Sequence, residues 1–152
     1  MRARKTIPVA ITVAALAVAA GAGAAVTGSY RDGPLTATFS ASTHHPNCKQ
    51  KWPVTVTARY NGKPARATAF YQFLYDGQLV NTQYPYSDTS KNPHGHVWHF
   101  VGGFTDPTFG PFGSLAVGQH LTVRAVIKEG SYTAYPSLAV SVVTAPGCKP
   151  LR

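Results

Sequence analysis

From Leu35 onward the chain alternates apolar and polar residues with a period of two, and Gly, Pro, Asn or Asp breaks the pattern at short intervals. A period of two places alternate side chains on opposite faces of an extended strand, so this pattern restricts the chain to half-buried sheet. No stretch repeats at the 3.6-residue period of a helix. Leu35, Ala37 and Phe39 alternate with Thr36, Thr38 and Ser40, and this reads as a first strand. Val54, Val56, Ala58 and Tyr60 alternate with Thr55, Thr57 and Arg59 in a second. Asn61-Gly62-Lys63-Pro64 turns the chain into a third strand, Arg66 to Tyr75, which is rich in Tyr and Phe. Asp76-Gly77 is a two-residue hairpin signal before a fourth, Gln78 to Tyr84.

The middle of the chain is less regular. Pro85 to Pro93 reads as a polar loop and Gly95 to Val101 as a fifth strand. Gly102 to Gly113 carries too much Gly and Pro for a regular element. Leu121, Val123, Ala125 and Ile127 mark a sixth strand, Glu129-Gly130 a tight turn, and Leu138, Val140 and Val142 the last. The expected fold is all-β: an antiparallel immunoglobulin-like (Ig-like) sandwich of about seven strands, preceded by a signal peptide.

The signal rests on the N-terminus. Arg2, Arg4 and Lys5 precede a run from Ile7 to Val26 without a charge, and Ala22-Gly23-Ala24 offers the small residues of a cleavage site. Residues 1–24 are therefore expected to be a signal peptide and 25–152 the domain. An uncleaved anchor is the alternative, but the run is mostly Ala and Gly, which partition weakly into lipid. Arg2 and Arg4 do not form a twin-arginine pair, and no Cys stands where a lipid could be attached. The expected location is secreted or cell-surface, with membrane contact only if the segment stays uncleaved.

Export gives the two cysteines meaning. Cys48 and Cys148 lie 100 positions apart, and an even pair in a small exported domain reads as a disulfide. Each follows a terminal strand of the layout, so both fall at one pole of the sandwich. Free thiols are the alternative.

Charge narrows the partners. The chain sums to +9, and loss of the three basic residues of the signal leaves +6. Charged residues make up only 12%, against a usual value of about 25%. The basic residues are scattered, without a basic helix or an aromatic-interleaved run, so specific nucleic-acid recognition is not supported. Attraction to acidic polymers of the envelope follows from net field alone.

The hairpin Phe70-Tyr71-Gln72-Phe73-Leu74-Tyr75-Asp76-Gly77-Gln78-Leu79-Val80 resembles the strand–turn–strand unit of bacterial Ig-like domains. Leu115 to Val126, with Gly118 and His120 inside it, is similar to a later stretch of the same repeats. The resemblance covers Val54 to Val143. It implies a surface or extracellular module, adhesive or structural, without intrinsic catalysis. The chain departs from that family in its single copy and in its Phe- and Pro-rich insertion.

Candidate sites are few. Trp98, Phe104, Phe109 and Phe112, with Tyr84 and Tyr86, gather in the irregular middle. Exposed, such rings form a platform for sugars or partner side chains; folded back, they cover the end of the core. The segment 102–113 is thus either a binding loop or a lid. His94 and His96 would project from one face of a strand toward a metal, with His99 on the other face and no acidic residue beside them. That ligand set is short, and no metal or other cofactor is expected. No catalytic residues are identified: Ser114 lacks a nucleophile elbow, and Asp32, Asp76, Asp88, Asp106 and Glu129 show no facing pair. The expected function is a non-catalytic extracellular or envelope-associated binding or structural module, its partner a protein or polysaccharide of the envelope. A carbohydrate-binding module using the exposed aromatics is the alternative, and a small secreted hydrolase a third.

Overall fold

The computed structural model describes residues 25–148. The signal or anchor assigned to residues 1–24 lies outside them, as do residues 149–152. Two antiparallel sheets pack face to face. The first holds β1 (Val26–Asp32), β2 (Leu35–Ala41), β3 (Val54–Tyr60), the short β4 (Lys63–Pro64) and β8 (Gly103–Asp106). The second holds β5 (Arg66–Tyr75), β6 (Gln78–Gln83), β7 (Trp98–Val101), β9 (His120–Glu129), β10 (Tyr132–Ala134) and β11 (Ser137–Ser141). In the first sheet β1, β2 and β3 run in order, and both β4 and β8 pair with β3. In the second, β9 and β5 are the central pair; β10 and β11 flank β9, while β6 and β7 flank β5.

The alternation seen along the chain is the alternation of burial. Leu35, Ala37, Phe39 and Ala41 of β2, and Val54, Val56 and Ala58 of β3, face Ala67, Ala69, Tyr71 and Phe73 of β5. Val123, Ala125 and Ile127 of β9 and Leu138 and Val140 of β11 complete the filling. The hairpin at Asp76-Gly77 forms as the dipeptide demands. Both residues have positive φ, 47° and 76°, which matches the twist of the flanking strands.

Strand number differs from expectation. All seven expected strands are present, and β1, β4, β8 and β10 are additional. The chain therefore enters the sandwich one strand earlier than Leu35, and Cys48 follows the second strand. β1 gives no alternating signal because it is an edge strand with mostly exposed side chains. The segment 102–113, read as free of regular structure, contains β8. Gly103 is what lets it pair: a Cβ there would stand 2.7 Å from the carbonyl oxygen of Val56, so only glycine brings this backbone against β3. β10 and β11 lie on the same side of β9, separated by Tyr135-Pro136, because proline has no N–H for the ladder.

Cys48 and Cys148 form a disulfide with their Cα atoms 6.2 Å apart, within the usual range. It joins the segment after β2 to the end of the described chain. A disulfide of this kind belongs to an oxidising compartment. No helix among the described residues is long and apolar enough to cross a membrane.

Candidate functional site

Phe109 is the hub of the core. Its ring centroid lies 4.6 Å from Tyr71, 5.6 Å from Phe73, 5.7 Å from Trp52 and 6.4 Å from Phe39. Phe112 packs beside it, 5.7 Å from Trp52 and 5.8 Å from Phe73. Phe109 is fully enclosed and offers no surface to a partner, whereas Phe112 is buried but for an edge that lines the groove described below. Trp98 and Phe104 are half-buried and share a second cluster with Tyr86, whose ring centroid is 4.6 Å from that of Trp98. The four aromatics therefore divide between two packed clusters, and they do not form one open platform. The segment after β8 caps the core end.

Asp106 anchors that cap. Its side chain is fully buried at the end of β8 and accepts from the N–H of Thr108 at 2.9 Å and the Thr108 hydroxyl at 2.7 Å. The other carboxylate oxygen accepts from the N–H of Tyr86 at 3.2 Å and the Tyr71 hydroxyl at 3.4 Å. Burial, and then the neighbouring Asp106 charge, hold the Tyr71 phenol far above its ordinary titration range. The same two causes raise Tyr86. Asp-x-Thr is a turn-forming pattern in which the carboxylate accepts the N–H two residues on, and that was the available signal for Asp106.

His94 and His96 are not on a strand; of that cluster only His99 is, in β7. β7 begins at Trp98; His94 lies in a turn and His96 in the irregular segment before the strand, their ring centroids 6.0 Å apart. The reason is Asn92, whose buried side-chain amide accepts from the N–H of His96 at 3.0 Å and donates to its carbonyl at 2.6 Å. With both backbone groups taken by a side chain, His96 has none left for a neighbouring strand. No group of three or more His, Cys, Asp or Glu side chains among the described residues could hold a metal ion.

An open, unfilled space lies elsewhere. A groove of about 640 Å³ opens at the end of the second sheet. One wall is Phe73 and Tyr75 of β5, Val80, Asn81 and Gln83 of β6, and Leu121 of β9; the other is formed by residues from Pro111 to Gln119. The β5–β6 hairpin creates it. No residue of the first sheet lines this end, and the segment 111–119 lies across from it instead. A bulge sharpens it: Phe73 pairs with Asn81 and Leu74 with Leu79, so Val80 is an extra residue pushed out of the ladder. Tyr75, Val80 and Leu115 are 43%, 58% and 74% exposed, high values for large apolar side chains clustered at one site.

The lining contains no acidic, basic, histidine or cysteine side chain; its side-chain polarity comes from the amides of Asn81, Gln83 and Gln119 and the hydroxyl of Tyr75. Gln83 donates to the carbonyl of Gly110 at 3.3 Å, tying β6 to the opposite wall. Such a groove suits an uncharged, largely apolar ligand with a few amide contacts. β6 is also the end of its sheet, and its outer edge pairs with no other strand among the described residues. The groove is not legible in the sequence, because Leu115 meets the Tyr75–Val80 hairpin only in the fold. Among known proteins, no family model and no curated sequence matches the chain.

Proposed function

We propose that the chain is a non-catalytic binding module of the immunoglobulin type, exported to the cell surface or medium, that recognises an envelope protein through the groove between β6 and the segment 111–119. The neutral, apolar and exposed lining of that groove carries the reading. The immunoglobulin type is supported by the strand order. β8 sits beside β3 in one sheet and β9 beside β5 in the other, as strands E and B, and F and C, do in that architecture. The occupant is an uncharged extended segment that adds to the free edge of β6, with apolar side chains entering the groove. Backbone hydrogen bonds along β6 would supply affinity, and the pocket at Tyr75 and Leu115 selectivity.

Site-directed photocrosslinking in the producing cell tests this. A crosslinker at Leu115 should trap a discrete protein, and Tyr75→Ala should abolish the product. The same crosslinker at Arg66, on the outer face of β5, should trap nothing comparable. Equal labelling from both positions, or no protein product from Leu115, would overturn the reading. Retention on insoluble wall polysaccharide without a protein crosslink would favour the sugar-binding alternative instead.

A further inference from the structure

The solvent-facing side of the first sheet is an ordered array of hydroxyls. Thr27, Ser40, Thr55 and Thr105 fall in register across four strands, and Ser29, Thr38 and Thr57 form the next row. The hydroxyls of Thr38 and Thr57 are 2.6 Å apart, and those of Thr55 and Thr105 3.0 Å. A third row is Arg31, Thr36 and Arg59. Its two arginines stand two strand spacings apart, about 10 Å. A shallow depression of about 450 Å³ lies over this face, with both arginines, Ser29, Thr38 and Thr57 in its lining.

The arginines are positioned. Arg31 Nε donates to the carbonyl of Gly33 at 2.9 Å, and an Arg59 terminal nitrogen to that of Gly62 at 2.9 Å. Each carbonyl belongs to a tight turn at the same end of the sheet, so both guanidinium groups are held there with most of their N–H donors uncommitted. The described acidic residues are engaged or placed elsewhere. Asp32, next to Arg31, accepts from the N–H of Thr133 at 2.8 Å; Asp106 is buried; Asp88 pairs with Lys51. Asp76 lies in the β5–β6 turn and Glu129 at the end of β9. None stands on this face.

We infer that this face binds a hydroxyl-bearing polyanion. The planar guanidinium groups take carboxylate or phosphate oxygens, and threonine and serine hydroxyls, being donors and acceptors at once, match the hydroxyls of a sugar or polyol chain. The surrounding field has the right sign, since the domain without its signal sums to +6. The surface lies on the other sheet from the groove and does not depend on it.

Binding of the exported protein to polygalacturonate and to poly(glycerol phosphate) at low ionic strength, with neutral dextran as control, tests the inference. At least one polyanion should bind and dextran should not. Arg31→Gln with Arg59→Gln should weaken binding about tenfold or more. Thr38→Val with Thr57→Val should weaken it about threefold without changing charge. Arg66→Gln with Lys128→Gln removes the same charge from the second sheet and should change affinity by less than about twofold. A preference between the two polymers assigns carboxylate or phosphate as the recognised group. Equal losses in the two charge-removing pairs, no effect of the valines, or binding of neither polymer would overturn it. All substituted side chains are at least partly exposed, and matching thermal melts confirm that the variants are folded.

Discussion

Tyr71 of β5 and Asp106 of β8 belong to opposite sheets, and the phenol of one reaches the buried carboxylate of the other at 3.4 Å. The contact is long for a hydroxyl donor. Asp106 is nonetheless the point where the two sheets, the Tyr86 loop and the cap carrying Phe109 share one acceptor. Asp106→Ala should cost about 3 kcal/mol or more, because it strands several buried donors at once. Asp106→Asn should cost less, since one carbonyl oxygen survives. Urea unfolding of the two variants measures the difference; equal and small losses would show that water replaces the carboxylate.

The same pair sets an alkaline limit. A free phenol titrates near 10, whereas burial and Asp106 keep Tyr71 protonated well above that in the folded protein. Above about pH 10 the unfolded chain therefore loses this proton first, and stability falls as pH rises; below it the contribution is complete. Tyr86 acts in the same direction. The urea midpoint should stay level up to about pH 10 and then decline, by up to about 1.4 kcal/mol per pH unit for Tyr71. Tyr71→Phe should flatten that decline.

Phe109→Ala should destabilise by about 3–5 kcal/mol, because the ring is fully enclosed by five others. Phe104 is half-buried, and its truncation should cost only about 1–2 kcal/mol. Thermal melts of the two variants give the contrast. A mild effect at Phe109 would mean that the cap is not part of the core.

The disulfide closes a loop spanning 100 positions. Chain entropy alone assigns such a loop about 4.7 kcal/mol, and losses of 2–5 are typical. The Cys48→Ser, Cys148→Ser double variant should thus unfold at markedly lower denaturant. It should keep the ability to bind if its temperature is held below the new transition, because neither cysteine lines the groove or the hydroxyl face.

Much of this architecture is legible along the chain. β2, β3, β5 and β9 each bury one face, so their alternation writes the core residues directly. Asp76-Gly77 specifies its own turn, and the chain's two cysteines can bridge only each other within it. These are local or compositional properties, and they need no knowledge of neighbours. β1 and β8 escape notice for a matching reason: one is an exposed edge, the other a glycine-bearing strand that exists only because β3 offers it a partner.

The candidate surfaces are decided at a later level. Whether Phe109 is a lid or a platform depends on whether Tyr71, Phe73, Trp52 and Phe39 surround it, and these come from three other segments. The groove exists because the β5–β6 hairpin meets the segment 111–119, which lies some thirty residues further along the chain. The hydroxyl rows likewise require register, since Thr38 meets Thr57 only when Ala37 pairs with Ala58, and a slip of one residue would turn every threonine inward. The sequence by itself determined which faces of the main strands are apolar and where several turns fall. Tertiary structure alone decided which faces meet and what stays uncovered, because contacts between distant segments leave no periodic trace in either segment.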